Sequence, residues 1–162
     1  MATQYTAGLV SGQILTAATM NSIGAAWVSW TPTLTAVTTN PTLGTASTAT
    51  GKYTQINKLI VADFLIVFGT APTAGSGVYR VSLPITAAST TSYYEASKGQ
   101  ILIRDSSTQF QYQATPYFNA TTTMQIAYSA TYGGALVDTS NANPWTWAAG
   151  DSISGFVIYE AA

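Results

Sequence analysis

Residues 58–70 read KLIVADFLIVFGT. A half-buried strand alternates apolar and polar residues, because successive side chains point to opposite faces. Here Ile60, Ala62, Phe64, Ile66 and Phe68 form one parity set. Leu59, Val61, Leu65 and Val67 form the other, interrupted only by Asp63. The pattern predicts a strand that is dry on both faces, and each face then needs a cover. A membrane-spanning helix takes about 20 apolar residues. This run is about half that length and contains an acid, so it reads as a strand of a soluble fold.

Working outward, GKYTQINKLIVADFLIVFG (51–69) predicts a β-hairpin with its turn near Asn57 and Lys58. Before it, Leu34 and Ala36 alternate while Pro32 and Pro41 argue for an edge strand and a turn, followed by a threonine-rich loop. After it, TAPTAGSG (70–77) reads as a loop. VYRVSLP (78–84) reads as a strand, with Val78, Arg80 and Ser82 opposed in parity to Tyr79, Val81 and Leu83. Residues 85–97 are small and polar and read mainly as loop. GQILIRDSSTQFQYQAT (99–115) predicts a second hairpin with Asp105, Ser106 and Ser107 at the turn, and Phe110 and Tyr112 sharing a face of the return strand. Met124, Ile126 and Tyr128 alternate in residues 122–130, and a last strand is centred on Phe156 and Ile158. About eight strands at short spacing predict an all-β fold, a jelly-roll-like two-sheet β-sandwich over residues 31–162.

Composition agrees with that class. A chain of 162 residues fits one domain and can bury a core without disulfides or metal. The absence of Cys and His removes thiolate nucleophiles, Cys-based zinc sites and the commonest general base. Charged residues make up 7%, against about a quarter in an ordinary soluble domain, and the net charge is −1. There is no basic field to attract nucleic acid or an anionic membrane. A surface so poor in charge tends to associate, which predicts that much of it is covered in the working state.

Residues 1–30 differ from the rest. Thr16 is a candidate N-cap, and Leu15, Thr19, Ile23 and Trp27 recur four apart, which predicts a short helix over 16–26, weakened by Gly24. So short a helix needs a surface to lie on: its own domain, a sister subunit or another protein. The opening MATQYTAGLV has neither a basic region nor an apolar core of secretory type, so synthesis in a cytoplasm without a signal peptide is expected.

Few residues invite chemistry. Asp63, Glu95, Asp105, Asp138, Asp151 and Glu160 are scattered among turns and strand ends, with no carboxylate pair of glycosidase type, so no catalytic residue is assigned. Asp63, inside an apolar strand, calls for a Lys or Arg partner, a surface position or a subunit boundary. DTSNAN (138–143) lacks the spacing, central Gly and terminal Glu of an EF-hand loop and reads as a turn, so neither metal nor cofactor is expected. AGSG (74–77) is not followed by the Lys of a phosphate loop. In PWTWAAGD (144–151), Trp145 and Trp147 fall on one side if extended; with Tyr117 or Tyr132 nearby they could stack on a sugar, or else plug the end of a sandwich.

Three stretches resemble the small tail-associated and capsid-decorating proteins of tailed bacteriophages: SGQILTAATMNSIGAAWVSWTPTLTA (11–36), GTASTATGKYTQINKLIVADFLIVFGT with GSGVYRVSLPITA, and NPWTWAAGDSISGFVIYEAA (143–162). The resemblance implies a non-enzymatic structural protein at the virion surface, in a group whose β-sandwiches often assemble as homotrimers. It implies that an N-terminal segment, residues 1–30, docks on another virion protein of capsid or tail, with Ile14, Leu15, Met20, Ile23 and Trp27 as contacts. The absence of a heptad stalk or collagen-like repeat favours a short knob over a long fibre. In a trimer, Leu59, Val61, Leu65 and Val67 would lie against a neighbouring subunit. The alternative is a receptor-binding module that contacts host-surface glycan through Tyr117, Tyr132, Trp145 and Trp147.

Overall fold

The 59–67 stretch forms the strand its composition calls for, and the rest of the fold is built around it. The structure, a computed structural model, describes residue 14 and residues 26–90, 97–131 and 133–162. Ten strands lie among them: β1 Val28–Trp30, β2 Leu34–Ala36, β3 Thr48–Ile56, β4 Leu59–Val67, β5 Tyr79–Ser82, β6 Gly99–Arg104, β7 Gln111–Ala120, β8 Thr123–Ser129, β9 Leu136–Asp138 and β10 Ser152–Glu160. No helix occurs among the described residues. The expected helix over 16–26 falls almost wholly outside them, and so do Leu15, Met20 and Ile23. The sheet takes in Val28–Trp30, which the sequence assigns to the anchoring segment.

The strands follow the order β1-β3-β4-β10-β6-β7-β8-β5-β2, with β9 added to β8, and every pairing is antiparallel. Where two separate sheets were expected, hydrogen bonds run unbroken through one curled sheet, a half-barrel. The cause is a single long hairpin. From Ile56↔Leu59 at the turn to Thr48↔Val67, and on to Leu34↔Val81, the two arms keep one register with no residue gained by either. That hairpin supplies both β3-β4 and β5-β2, which lie towards opposite ends of the hydrogen-bonded path, so the sheet must curl around what it encloses.

The middle of the hairpin is where sequence and structure differ. TAPTAGSG, expected as a loop, pairs with residues 39–45 through the bridges Thr45↔Thr70, Thr42↔Thr73 and Thr39↔Ser76. Each pair exchanges both backbone hydrogen bonds, for example Thr42 N to Thr73 O at 3.0 Å and Thr73 N to Thr42 O at 3.1 Å. An ordinary antiparallel ladder repeats such pairs at every second residue; here they recur at every third. Both arms carry one residue more per step, so the register is kept, and left-handed backbone at Gly44 (φ 81°), Ala71 (φ 53°) and Gly75 (φ 63°) takes up the wider spacing.

The enclosed core joins Ile60 and Ile66 of β4, Ile101 and Ile103 of β6, Met124 and Ile126 of β8, Val81 of β5, and Ile153 and Val157 of β10, all fully or almost fully buried. At about 1.5–3 kcal/mol for each large side chain buried, this one face accounts for the fold's main driving force. Two ring contacts close its ends. Phe68 stacks on Trp147 at 4.9 Å, and Phe118 meets Tyr159 edge-on at 5.2 Å.

Candidate functional site: the outer face of the central strands

β4 answers the question its sequence poses. Ile60, Ala62, Phe64, Ile66 and Phe68 all face the core, whereas Leu59 leaves 47% and Leu65 38% of its surface exposed on the other side. Val61 and Val67, on the same outer side, are half-buried. The second face is apolar but open.

Register extends this row across three strands. β3 sets Ile56, Thr54 and Lys52 beside Leu59, Val61 and Asp63, and β10 sets Glu160, Ile158 and Phe156 beside the same three. Ile56 is 47%, Ile158 44% and Phe156 43% exposed, so an apolar block of five side chains covers one end of the outer face. At the other end Leu65 and Val67 are flanked by Thr50 and Thr48 on β3 and by Ser154 and Ser152 on β10. The face thus carries an apolar block at one end and a mixed apolar and hydroxyl patch at the other.

Asp63 sits between these two parts. Its Oδ2 lies 3.6 Å from Lys52 Nζ, and its Oδ1 accepts from the Lys52 backbone N–H at 3.3 Å. Lys52 Nζ also stands 5.2 Å from the ring centre of Trp27. The expected basic partner is therefore the cross-strand neighbour, and the pair remains half-exposed. In water such a pair contributes about 0–1 kcal/mol.

The other residues singled out in the sequence are placed differently. Trp147, 4% exposed, spends its ring on Phe68 and on Tyr79 at 5.6 Å, and its Nε1 donates to Ser140 O at 2.7 Å. Trp145 is half-buried and stacks on Tyr112 at 5.9 Å. Tyr117 is buried; its hydroxyl lies 2.6 Å from Asp138 Oδ1 and 2.7 Å from Gln125 Oε1. One phenolic hydrogen serves only one acceptor at a time, so the two contacts share it. Tyr132 lies outside the described residues. Trp145, Trp147 and Tyr117 thus pack within the fold and do not form an exposed aromatic platform. Of the N-terminal contacts, Ile14 and Trp27 are described, and both are exposed.

The acids hold turns. Asp105 Oδ1 accepts from Ser107 N, Ser107 Oγ and Thr108 N, and Oδ2 accepts from Thr108 Oγ1. The Ser107 hydroxyl foremost, then Thr108, pulls its pKa down to about 2. Asp151, buried, accepts from Ser106 N at 2.9 Å and Ala148 N at 2.8 Å, bracing the β6-β7 turn against the entry to β10. Among the described residues, no group of three or more acids is placed to hold a metal ion.

Sequence reasoning found the β4 side of the outer face but missed Ile56, Ile158 and Lys52. Ile56 was within reach, because a two-residue turn at Asn57 and Lys58 sets it opposite Leu59. Ile158 was not, since nothing local pairs β10 with β4. Comparison with family models, with curated proteins and with solved structures found no match.

Proposed function

We propose that this chain is a non-enzymatic structural protein of a bacteriophage virion. In this reading the curled sheet serves as a jelly-roll-like knob, assembled as a homotrimer and docked on a capsid or tail protein through residues 1–30. The observation that supports it is the outer face of β3, β4 and β10. Ile56, Leu59, Leu65, Phe156 and Ile158 stand open to solvent on a chain with 7% charged residues. Exposed apolar groups gathered in one patch mark an association surface, whereas the same groups scattered singly would not. These side chains keep 38–47% of their surface exposed, so covering that remainder contributes about 1 kcal/mol each, and it is the sum over all copies that offsets the cost of association. Docking of several N-terminal segments from one trimer then multiplies a weak contact into a stable attachment.

The test is particle attachment. Protein lacking residues 1–27, which keeps β1 and its contact with the core, should fail to bind particles that the full chain decorates, read by co-sedimentation and cryo-EM. Normal decoration by the truncated knob would contradict the docking role.

A further inference from the structure

Among the described residues the apolar outer face carries one ion pair, Lys52 and Asp63, with the exposed Glu160 at its edge. Lys52 and Asp63 are directly opposed on β3 and β4, with Leu59 and Val61 to one side and Leu65 and Val67 to the other. Each has spare hydrogen-bonding capacity. An ammonium has three donors, and a carboxylate has about four acceptor sites, of which Lys52 N and Nζ approach two. Lys52 is further steadied over Trp27.

Exposed, this pair is weak; covered, it decides what may cover it. Burying a charge without its counter-ion is costly, so a purely apolar partner that separated Lys52 from Asp63 would be rejected. A surface of one sign would meet a like charge at either residue. A second copy of the same face offers both signs at the same spacing, set in the same apolar rows.

We propose that Lys52 and Asp63 are the specificity-determining residues of this face, selecting a second copy of the chain by pairing Lys52 of one copy with Asp63 of the next. The inference rests on the reading of the outer face as a self-association surface. Like-charge juxtaposition across an interface costs several kcal/mol, and each 1.4 kcal/mol is tenfold in affinity. Lys52→Asp, facing Asp63, and Asp63→Lys, facing Lys52, should therefore each weaken assembly tenfold or more. Mixing the two variants should restore it in large part, because most contacts in a mixed ring are complementary and none is in a ring of either variant alone.

The experiment is sedimentation velocity on the full chain, on each variant and on their equimolar mixture, with circular dichroism to verify that each is folded. If a reversal variant misfolds, Lys52→Gln and Asp63→Asn, which each remove one charge, take its place: each should weaken assembly, and undiminished assembly of both overturns the proposal. Rescue in the mixture supports the proposal. Assembly of the original chain with undiminished assembly of both reversals, or two weakened variants with no rescue on mixing, overturns it while leaving the self-association reading standing. A monomeric original chain overturns both.

Discussion

Gly51 lies beneath the indole of Trp30, whose Nε1 donates to the backbone carbonyl of Asp63 at 3.3 Å. A Cβ at Gly51 would enter the indole, and the same ring meets Phe64 edge-on at 6.5 Å. One glycine thus lets an edge strand, β1, close over the end of the core and reach the backbone of β4. Gly51→Ala should displace Trp30 and cost about 1–3 kcal/mol, the usual penalty of overpacking. Urea denaturation followed by tryptophan fluorescence measures it, and an unchanged midpoint would mean that Trp30 is free to move.

Trp147 joins the hairpin corner to the core through Phe68 and Tyr79. Removing so large a buried ring leaves a cavity, and Trp147→Ala should cost about 3–5 kcal/mol. Trp147→Phe should cost less, since it keeps a ring against Phe68 while losing the bond to Ser140. Full stability of the alanine variant in urea would show that the ring is dispensable for packing.

The two pH limits have different owners. The Asp105 carboxyl is held down at about 2 in the fold, against an ordinary value of 3.8. Below pH 4 the unfolded chain takes up a proton that the folded chain still refuses, so this contribution is complete above pH 4 and is lost as the pH falls towards 2. At the alkaline end, burial raises the Tyr79, Tyr128 and Tyr159 phenols, the last to about 12 from 10.0. The unfolded chain releases these protons first, so stability should fall as the pH rises from 10 towards 12. Thermal melts across pH should show a plateau between these limits. Asp105→Asn should flatten the acid limb and Tyr159→Phe should soften the alkaline one. Tyr159→Phe should also lower the plateau by about 1–3 kcal/mol, because the hydroxyl bonds both Ile85 N–H and Ile85 C=O.

Leu65 is outward-facing and 38% exposed, so Leu65→Glu should cost the isolated fold no more than about 1–2 kcal/mol, from the apolar contact it gives up. In the assembled state it should place an unpaired carboxylate among apolar side chains and weaken association. Denaturation and light scattering on one sample separate the two effects. A large loss of stability at high dilution would place Leu65 in the core after all.

How far the sequence could be read depends on the range of each interaction. The Asn57 turn, the two parities of β4 and the Asp105 turn are set by neighbours in the chain, and all were legible. The opposed parities of Tyr79 and Val81 against Arg80 and Ser82 were legible for the same reason. The pairing of β10 with β4, which completes the outer face with Ile158 and Phe156, joins residues about a hundred apart and leaves no local signal. The threonine bridges failed differently. Proline, glycine and threonine at every third position look like loop punctuation, and only the continued register of the long hairpin shows that they pair. Trp145 and Trp147 carry no local sign of which way they turn, and burial against Phe68 and Tyr112 is a tertiary outcome.

The most direct test of the account is the solution mass of the full chain by light scattering over a dilution series. Association through the β3-β4-β10 face predicts a mass near three times the 16.9 kDa of one chain, falling towards one on dilution or on introduction of Leu65→Glu. A mass of one chain at every concentration, with Leu59 and Leu65 accessible to solvent, would contradict it.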